Sequence, residues 1–376
     1  GIAYGLRNGL HINAANPASY SAVDSLTFLF DAGMSLQNAN FQEKGVKTNA
    51  KNSTIDYIAM QFRLWERMGM TLGFLPYSTV GYNMSQTKTV SSDEYGNQIS
   101  SLSTYSGDGG LQQVFAGLGF KVFKNLSIGA NFSYFYGEIN HSVKTIFNNT
   151  NANSSVRADK IEISDYKLDL GMQYTQPFGK KHTVNLGLVY SLGHDLNGKG
   201  YNFKETYASG VSYPMTQTVD TIKNAFSLPH TLGIGATYVY DRRLTVGVDY
   251  TLQKWEDVEF FNEKGKFLNR TKISFGAEYL PNPISRNYLS RIRYRAGAYY
   301  SDPYTKVNGK ESAREYGVSF GFGLPLEVFQ SRSLLNISGQ YVKVSPKVKG
   351  MLEESYLRIN LGLTFNDRWF MKWKVE

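Results

Sequence analysis

The stretch that decides the fold is residues 355–366, which read SYLRINLGLTFN. Its large apolar side chains fall on every second position, and the positions between them are Arg358, Asn360, Gly362 and Thr364. A β-strand places successive side chains on opposite faces, whereas a helix would scatter this apolar set around its circumference. The pattern therefore predicts a strand with one apolar face and one face of polar or very small residues.

The same alternation recurs along almost the entire chain, in segments separated by turn residues. Segments of this kind, each about ten residues long, are typical of membrane-spanning barrel strands, which turn one face to lipid and the other to the lumen. Counting them predicts an all-β fold, a transmembrane antiparallel β-barrel of about 14 strands. The predicted strands lie near residues 25–40, 54–65, 68–86, 111–123, 126–147, 157–177, 182–199, 226–240, 243–255, 271–280, 291–305, 313–326, 333–345 and 355–366.

The connections alternate in length, which favours a barrel over a soluble β-sandwich. The sequence predicts tight turns at 66–67, 124–125, 179–181 and 241–243, and long polar loops at 41–53, 87–110 and 200–225. Short periplasmic turns and long external loops are typical of outer-membrane barrels. We therefore expect the outer membrane of a Gram-negative cell as the location, with both termini in the periplasm.

The composition disfavours several other classes of protein. The chain has 376 residues, a mean hydropathy of -0.34 and no cysteine, and polar residues interrupt every candidate for an apolar helical span. Its net charge of +9 is not gathered into a nucleic-acid-binding module, so we expect no nucleic-acid partner. The histidines have no metal-ligand spacing and no nucleophile is paired with a base, so we expect no metal, no cofactor and no catalytic residue.

Residues 1–24 lie outside the strand pattern. Their segment 11–21 reads HINAANPASYS and directly precedes the first predicted strand. Here the chain resembles the FadL/OMPP1-type outer-membrane transport proteins, in which an Asn-Pro-Ala near the N-terminus belongs to a hatch that plugs the barrel from within. The resemblance implies a hatch over residues 1–24, with Asn13, Asn16 and Pro17 in it, and a barrel domain over residues 25–376.

The third predicted strand contains a proline in the segment GFLPY, residues 73–77. Proline cannot donate to the ladder, so Pro76 predicts a bulge, an edge-like break or a kink. In FadL-like proteins a kink in this strand opens the wall sideways, and the resemblance implies a lateral gate at Leu75 and Pro76. The alternative is that Pro76 only ends the strand at the rim.

Inward-facing residues supply the candidate ligand site. Arg293 and Arg295 lie two apart on one face and are predicted to bind a carboxylate or phosphate head group, and the apolar contacts are assigned to Phe115, Phe123, Phe135 and Tyr57. The alternative, in which no ligand is bound, is that inward charges of both signs pair with one another across the lumen.

Three functions follow as hypotheses. The first is passive uptake of hydrophobic or amphipathic, fatty-acid-like small molecules through the lumen and a lateral opening. The second is an accessory barrel subunit of an outer-membrane secretion or assembly complex, with loop 255–270 and turn 281–290 as partner surfaces. The third is a general porin. The expected partners are membrane lipids and lipopolysaccharide, a hydrophobic small molecule and other outer-membrane proteins.

Overall fold

In the computed structural model, the placed residues are 1–368 apart from 26, 44, 93–95, 97, 150, 210, 212, 262, 308, 327–332 and 348–351. The end of the predicted barrel domain, residues 369–376, lies outside them. Strands dominate the described residues, and only three short 3₁₀ helices interrupt them, Pro17–Ala22, Trp255–Asp257 and Tyr288–Arg291.

The strands are antiparallel to their neighbours throughout. Their bounds are β1 Thr27–Glu43, β2 Val46–Trp65, β3 Met68–Ser92, β4 Gln98–Lys121, β5 Leu126–Phe147, β6 Ser154–Phe178, β7 His182–Ser191, β8 Gly198–Tyr207, β9 Thr216–Lys223, β10 Thr231–Tyr240, β11 Leu244–Gln253, β12 Arg270–Tyr279, β13 Arg293–Ser301, β14 Lys306–Val307, β15 Lys310–Glu311, β16 Ala313–Leu326, β17 Ser333–Pro346 and β18 Glu353–Arg368.

Fourteen of these strands form a closed ring. Each pairs with its neighbours in the order β1 to β7, then β10 to β13, then β16 to β18, and β18 pairs back with β1. The predicted fourteen-stranded barrel is therefore confirmed. Closure gives every strand of the ring two neighbouring strands. An open sheet in lipid would leave the backbone groups of its two edge strands unsatisfied.

The two faces of the ring differ as the alternation predicted. In β16, Val318 and Phe320 are exposed, and in β18 so are Leu357 and Ile359, whereas Thr364 on the inner face is fully buried. An outward apolar band is what a barrel needs against lipid. No helix among the described residues has the length and apolar character to cross a membrane.

The ring has two unlike ends. At one end, here called the short-turn end, neighbouring strands are joined by brief connections such as 66–67 and 241–243. At the other end, here called the long-strand end, β3 to β6 continue for 22 to 25 residues each, more than the ring alone requires.

The prediction of long loops at the long-strand end was largely wrong. Residues 41–53 and 87–110 are mostly strand, and the β8–β9 hairpin occupies much of 200–225. These segments are rich in Ser, Thr and Asn and, in β3, are exposed on both faces, so they lack the apolar alternation that identifies a strand. Main-chain pairing stabilises them instead.

The continuing strands build a second sheet, here called the extension sheet. It consists of β3 from residue 78, β4 up to residue 111, β5 from 137, β6 up to 163, and the hairpin β8–β9. The sheet branches from the ring at β6, which pairs with β7 through residues 169–178 and with β8 through residues 154–163.

A bend line separates the extension sheet from the ring. The β3–β4 register shifts between Pro76 and Ser78, and the adjacent Gly109 and Gly137 have φ values of 102° and 147°. Only glycine adopts such φ values without strain, and bulges of this kind turn a strand sharply. The bend predicted at Pro76 is therefore present and crosses three strands.

Candidate functional site

The N-terminal segment, residues 1–24, contacts inward-facing side chains around the ring. Asp249 on β11 accepts hydrogen bonds from the backbone N–H groups of Ala3 and Tyr4, the second at 3.1 Å. On β6, Gln173 Nε2 donates to the Tyr4 and Leu6 carbonyls at 3.0 and 3.1 Å. The ring wall thereby satisfies main-chain groups that the segment, which has almost no secondary structure, leaves free.

Of the three predicted hatch residues, two hold the segment through hydrogen bonds. Asn13 Nδ2 donates to the Ala3 carbonyl at 2.7 Å, and Asn16 Nδ2 donates to the Tyr4 carbonyl at 2.8 Å. Asn16 Oδ1 also accepts from the Ala18 N–H and caps the helix that Pro17 begins. The motif therefore fixes the conformation of the segment itself.

Glycines on the inner wall leave the space in which the segment lies. A Cβ added to Gly119 or Gly129 would come within 3 Å of the Pro17 carbonyl, and one added to Gly187 would meet the Tyr4 carbonyl even more closely. Any larger residue at these positions would push the segment away from the wall. Residues 1–24 therefore lie in the space beside the small inward residues that the alternation predicted.

A charged network lies beside the segment on the inner wall. Glu278 on β12 pairs with both predicted head-group residues, Arg293 Nη1 and Arg295 Nε, each at 2.7 Å. Arg295 also contacts His11 Nε2 at 3.3 Å and donates to Asn336 at 2.6 Å. One carboxylate on the neighbouring strand therefore pairs with both arginines in this structure, whereas the pairing interpretation expected partners across the lumen.

The network continues to Tyr57, another predicted ligand contact. Asn336 Nδ2 donates to Thr364 Oγ1 at 3.2 Å, and Thr364 and Tyr57 both donate to Asp31 Oδ1, at 3.2 and 3.1 Å. Tyr57 thus uses its hydroxyl on a buried carboxylate rather than presenting it to an open space.

His11 links the N-terminal segment to this network. Burial, assisted by the nearby charges of Arg295 and Arg293, lowers the pKa of His11 from 6.5 to about 3. His11 is therefore neutral at physiological pH, and its Nε2 accepts from the Arg295 guanidinium.

Apolar residues gather at the long-strand end of the lumen, here called the cap cluster. Its buried centre includes Leu111, Phe135 and Leu196, against which Tyr77 and Phe226 pack. Tyr77 and Phe135 meet edge to face with ring centroids 4.9 Å apart. The full set is Leu111, Phe135, Ile161, Ile163, Leu196 and Leu228, with Tyr77, Ile139, Phe226, Phe260 and Phe261 packed against them.

Loop 255–270 is part of this packing, contrary to the expectation of an exposed partner surface. Trp255 is buried, with its ring 5.0 Å from that of Tyr304, and Phe260 lies 4.9 Å from Phe261 and 6.0 Å from Phe267. The aromatic residues of the loop bury one another, which removes the apolar surface that a partner would cover.

The ring wall is interrupted next to Pro76. The β2–β3 ladder ends at the pair Ile58–Phe74, although β2 begins at Val46 and β3 continues to Ser92. Beyond that pair, within the part of the chain that the structure describes, β2 pairs with β1 alone and β3 with β4 alone. Two strand edges without a partner strand therefore border a break that begins at the predicted gate residues.

The predicted ligand residues fall into separate places. Phe115 is buried on β4 opposite Gly73, close to Leu75 and the wall break, and Phe135 belongs to the cap cluster. Phe123 lies apart from both, because it follows β4 in a turn at the short-turn end and is 67% exposed.

Sequence reasoning missed the residues that hold the N-terminal segment. Asp249, Gln173 and Asn131 were not among the predicted site residues, although Asn131 Nδ2 donates to the Ala14 carbonyl at 3.0 Å. The available signal was a polar residue two positions from an inward glycine, as with Asn131 and Gly129. Among the described residues, no group of three or more potential metal ligands is present.

The fold is shared with solved barrels at low sequence identity. The "CymD monoaromatic hydrocarbon channel" is 14% identical with a TM-score of 0.62, and the alignment covers 95% of this chain and 92% of that one. The Ralstonia pickettii "toluene transporter TbuX" is 12% identical with a TM-score of 0.62, with coverages of 98% and 97%. A "Pseudomonas aeruginosa FadL homologue" is 13% identical with a TM-score of 0.56, with coverages of 96% and 94%.

These similarities confirm the FadL-type barrel fold that the sequence predicted. A comparison with curated protein sequences gives no match. Among protein families, the model described as BamG matches residues 2–376.

Proposed function

Since this chain belongs to the BamG family, we propose that it is an accessory barrel subunit of an outer-membrane protein complex, and that it binds partner proteins through its extension sheet. Its short-turn end and both termini lie in the periplasm, in keeping with the usual asymmetry of such barrels. Membrane lipids and lipopolysaccharide surround its apolar band, and residues 1–24 act as the hatch.

The observation that carries this proposal is the pair of open strand edges at the wall break. Residues 81–92 of β3 are exposed, and their outer edge offers main-chain donors and acceptors to a further strand. Proteins usually protect long edges with prolines or several charges, but residues 78–92 contain no proline and only Lys88 as a charge. Such an edge suits strand addition by a partner.

The contacts inside the ring also favour a subunit over an open pore. Residues 1–24 are hydrogen-bonded to the inner wall, Glu278 pairs with both inward arginines, and the cap cluster packs at the long-strand end. A general porin needs a continuous water-filled path. These contacts make the porin hypothesis the weakest of the three.

Site-specific photo-crosslinking in cells tests the docking surface. A photoreactive residue at Thr87 on the β3 edge is expected to give a discrete adduct with another protein. The same residue at Phe320, on the outward apolar band, is the matched control and is expected to react with lipid. Protein adducts from neither Thr87 nor Met84 would contradict the proposal.

Uptake of hydrophobic or amphipathic molecules is the second candidate. The wall break at Pro76 favours it, with Leu75 and Phe115 beside the gap, and the solved relatives are described as a hydrocarbon channel and a toluene transporter. In this hypothesis the ligand passes the cap cluster, contacts Phe135, and leaves sideways at Pro76.

A proline replacement tests the transport hypothesis. Pro76→Ala restores a donor to β3 and is expected to lengthen the β2–β3 ladder and slow the uptake of a labelled fatty acid. Pro177→Ala, at the short-turn end of β6, is the control. Equal uptake by both variants and the unaltered protein would contradict a lateral path.

A further inference from the structure

The short-turn end carries a surplus of basic side chains. Its described connections contain eight Lys or Arg residues and two acidic residues. We call the eight the basic rim: Arg67, Lys124, Lys180, Lys181, Arg242, Arg243, Arg286 and Arg291. The two acidic residues are Glu66 and Asp241.

Most of the basic rim has no acidic partner in the described part of the chain. The exposed basic-rim residues that form no ion pair there are Arg67, Lys124, Lys180, Lys181, Arg242 and Arg286, while Arg243 lies 3.6 Å from Asp241. Unpaired cations at this density repel one another, so an anionic ligand would relieve that repulsion.

Several cations at the long-strand end are placed differently. Lys160 pairs with Glu138 at 3.1 Å and with Glu162 at 2.7 Å, and Lys264 pairs with Glu259 at 3.0 Å. At the short-turn end the described connections hold eight basic residues against two acidic ones, so few such pairs can form there.

Large apolar side chains accompany the basic rim. Trp65 and Phe178 are 69% and 55% exposed at the last residues before their turns, and Phe123, inside the β4–β5 turn, is 67% exposed. Tyr279 is half exposed at the same end of β12. Aromatic residues collect where the hydrocarbon of a bilayer meets its head groups. The basic rim lies just beyond them, at head-group depth.

The distribution around the ring distinguishes a leaflet from a protein. The eight residues belong to the five turns that join β2–β3, β4–β5, β6–β7, β10–β11 and β12–β13. A protein partner would contact one side of the barrel, whereas a lipid leaflet contacts all of these turns. We propose that the basic rim binds the phosphate groups of anionic phospholipids in the leaflet next to the short turns.

Native mass spectrometry of the detergent-purified full chain tests this inference, with phosphatidylglycerol and phosphatidylcholine of the same acyl chains as probes. The test variant combines Lys180→Gln, Lys181→Gln, Arg242→Gln and Arg243→Gln. Each cation near a charged membrane surface is worth about fivefold in binding, so the apparent Kd for phosphatidylglycerol is expected to rise at least tenfold. Phosphatidylcholine binding is expected to be weaker and unchanged.

The matched control removes four cations from the long-strand end: Lys47→Gln, Lys51→Gln, Lys264→Gln and Lys266→Gln. It is expected to bind phosphatidylglycerol like the unaltered protein. Heat-modifiable migration verifies that each barrel is folded. In the unaltered protein, added salt should weaken phosphatidylglycerol binding selectively. Equal affinity for the two lipids, or an equal loss in both variants, would overturn the proposal.

Discussion

Glu278 is the counter-ion of two arginines on the inner wall. Its carboxylate pairs with Arg293 and Arg295, and all three side chains are less than a third exposed. Glu278→Gln leaves two guanidinium groups without their counter-charge, so we expect a loss of about 3 kcal/mol in the free energy of unfolding. Denaturant unfolding in detergent, followed by tryptophan fluorescence, measures it.

The control for Glu278 is a carboxylate at the long-strand end. Glu259 pairs with Lys264, whose side chain is 69% exposed, so Glu259→Gln is expected to change the free energy of unfolding by about 1 kcal/mol or less. Equal effects of the two replacements would show that the lumen network adds nothing to stability beyond a surface ion pair.

His11 makes the stability of the protein depend on pH. Its pKa falls from 6.5 in the unfolded chain to about 3 in the folded protein, so only the unfolded chain takes up the proton between these values. The stabilising contribution is present above pH 6.5 and is lost as the pH falls towards 3. It amounts to about 1.4 kcal/mol per pH unit in that window.

The variant His11→Asn isolates this effect, because the other titratable groups remain. The difference in the free energy of unfolding between the unaltered protein and the variant is expected to shift by about 1.4 kcal/mol from pH 6 to pH 5. A difference that does not vary with pH would contradict the burial of a neutral His11.

Gly171 tests the fit between the inner wall and the N-terminal segment. A Cβ there would meet Asn16 Oδ1 and the Pro17 ring within 3 Å, whereas a Cβ at Gly339 would meet nothing within 4 Å. Gly171→Val is expected to cost about 2 kcal/mol and to make residues 1–24 sensitive to protease. Gly339→Val should do neither, and equal protease resistance of the two variants would contradict this packing.

At the scale of elements, the β3–β4 hairpin is the part of the extension sheet whose removal is most informative. Replacing residues 86–103 by Asn-Gly would join the paired residues Ser85 and Thr104 through a two-residue turn. The ring should remain folded, because its ladders lie below the bend line. Partner proteins that co-purify with the unaltered chain are expected to be lost.

The matched control shortens a different edge. Replacing residues 204–218 by Asn-Gly trims the β8–β9 hairpin, which lies at the opposite margin of the extension sheet. It is expected to retain the partners. Retention of partners by the shortened β3–β4 hairpin would place docking elsewhere on the molecule.

Elements within the apolar band were predictable from the sequence, and those beyond it were not. In β16 and β18, lipid on one side and a polar lumen on the other impose strict alternation. In residues 81–92 of β3 water lies on both sides, so no alternation is required. The bend at Pro76 was predictable because proline removes a ladder donor, and it coincides with the end of the β2–β3 ladder.

At the scale of the whole molecule, the site was only partly predictable. The alternation of side chains along a strand placed Arg293, Arg295 and Tyr57 correctly on the inner face. Its absence placed Asn16 and Pro17 in a segment outside the strands. Alternation does not predict which inward residues contact one another, because those contacts join segments far apart in sequence. Phe123 was assigned to the wrong environment because alternation no longer predicts the direction of a side chain once the strand has ended.

The whole molecule combines a ring that can span a membrane, an N-terminal segment hydrogen-bonded to the inner wall, and a sheet that rises beyond the ring with open edges. A transporter needs a path, and a subunit needs a partner surface. We propose that the extension sheet provides that surface.

Native mass spectrometry of the protein, extracted gently from its own membrane, tests this claim most directly. We predict stoichiometric complexes with other outer-membrane proteins, which dissociate when the β3–β4 hairpin is shortened. A lone barrel that carries a bound fatty acid or similar small molecule would contradict the claim and support transport instead.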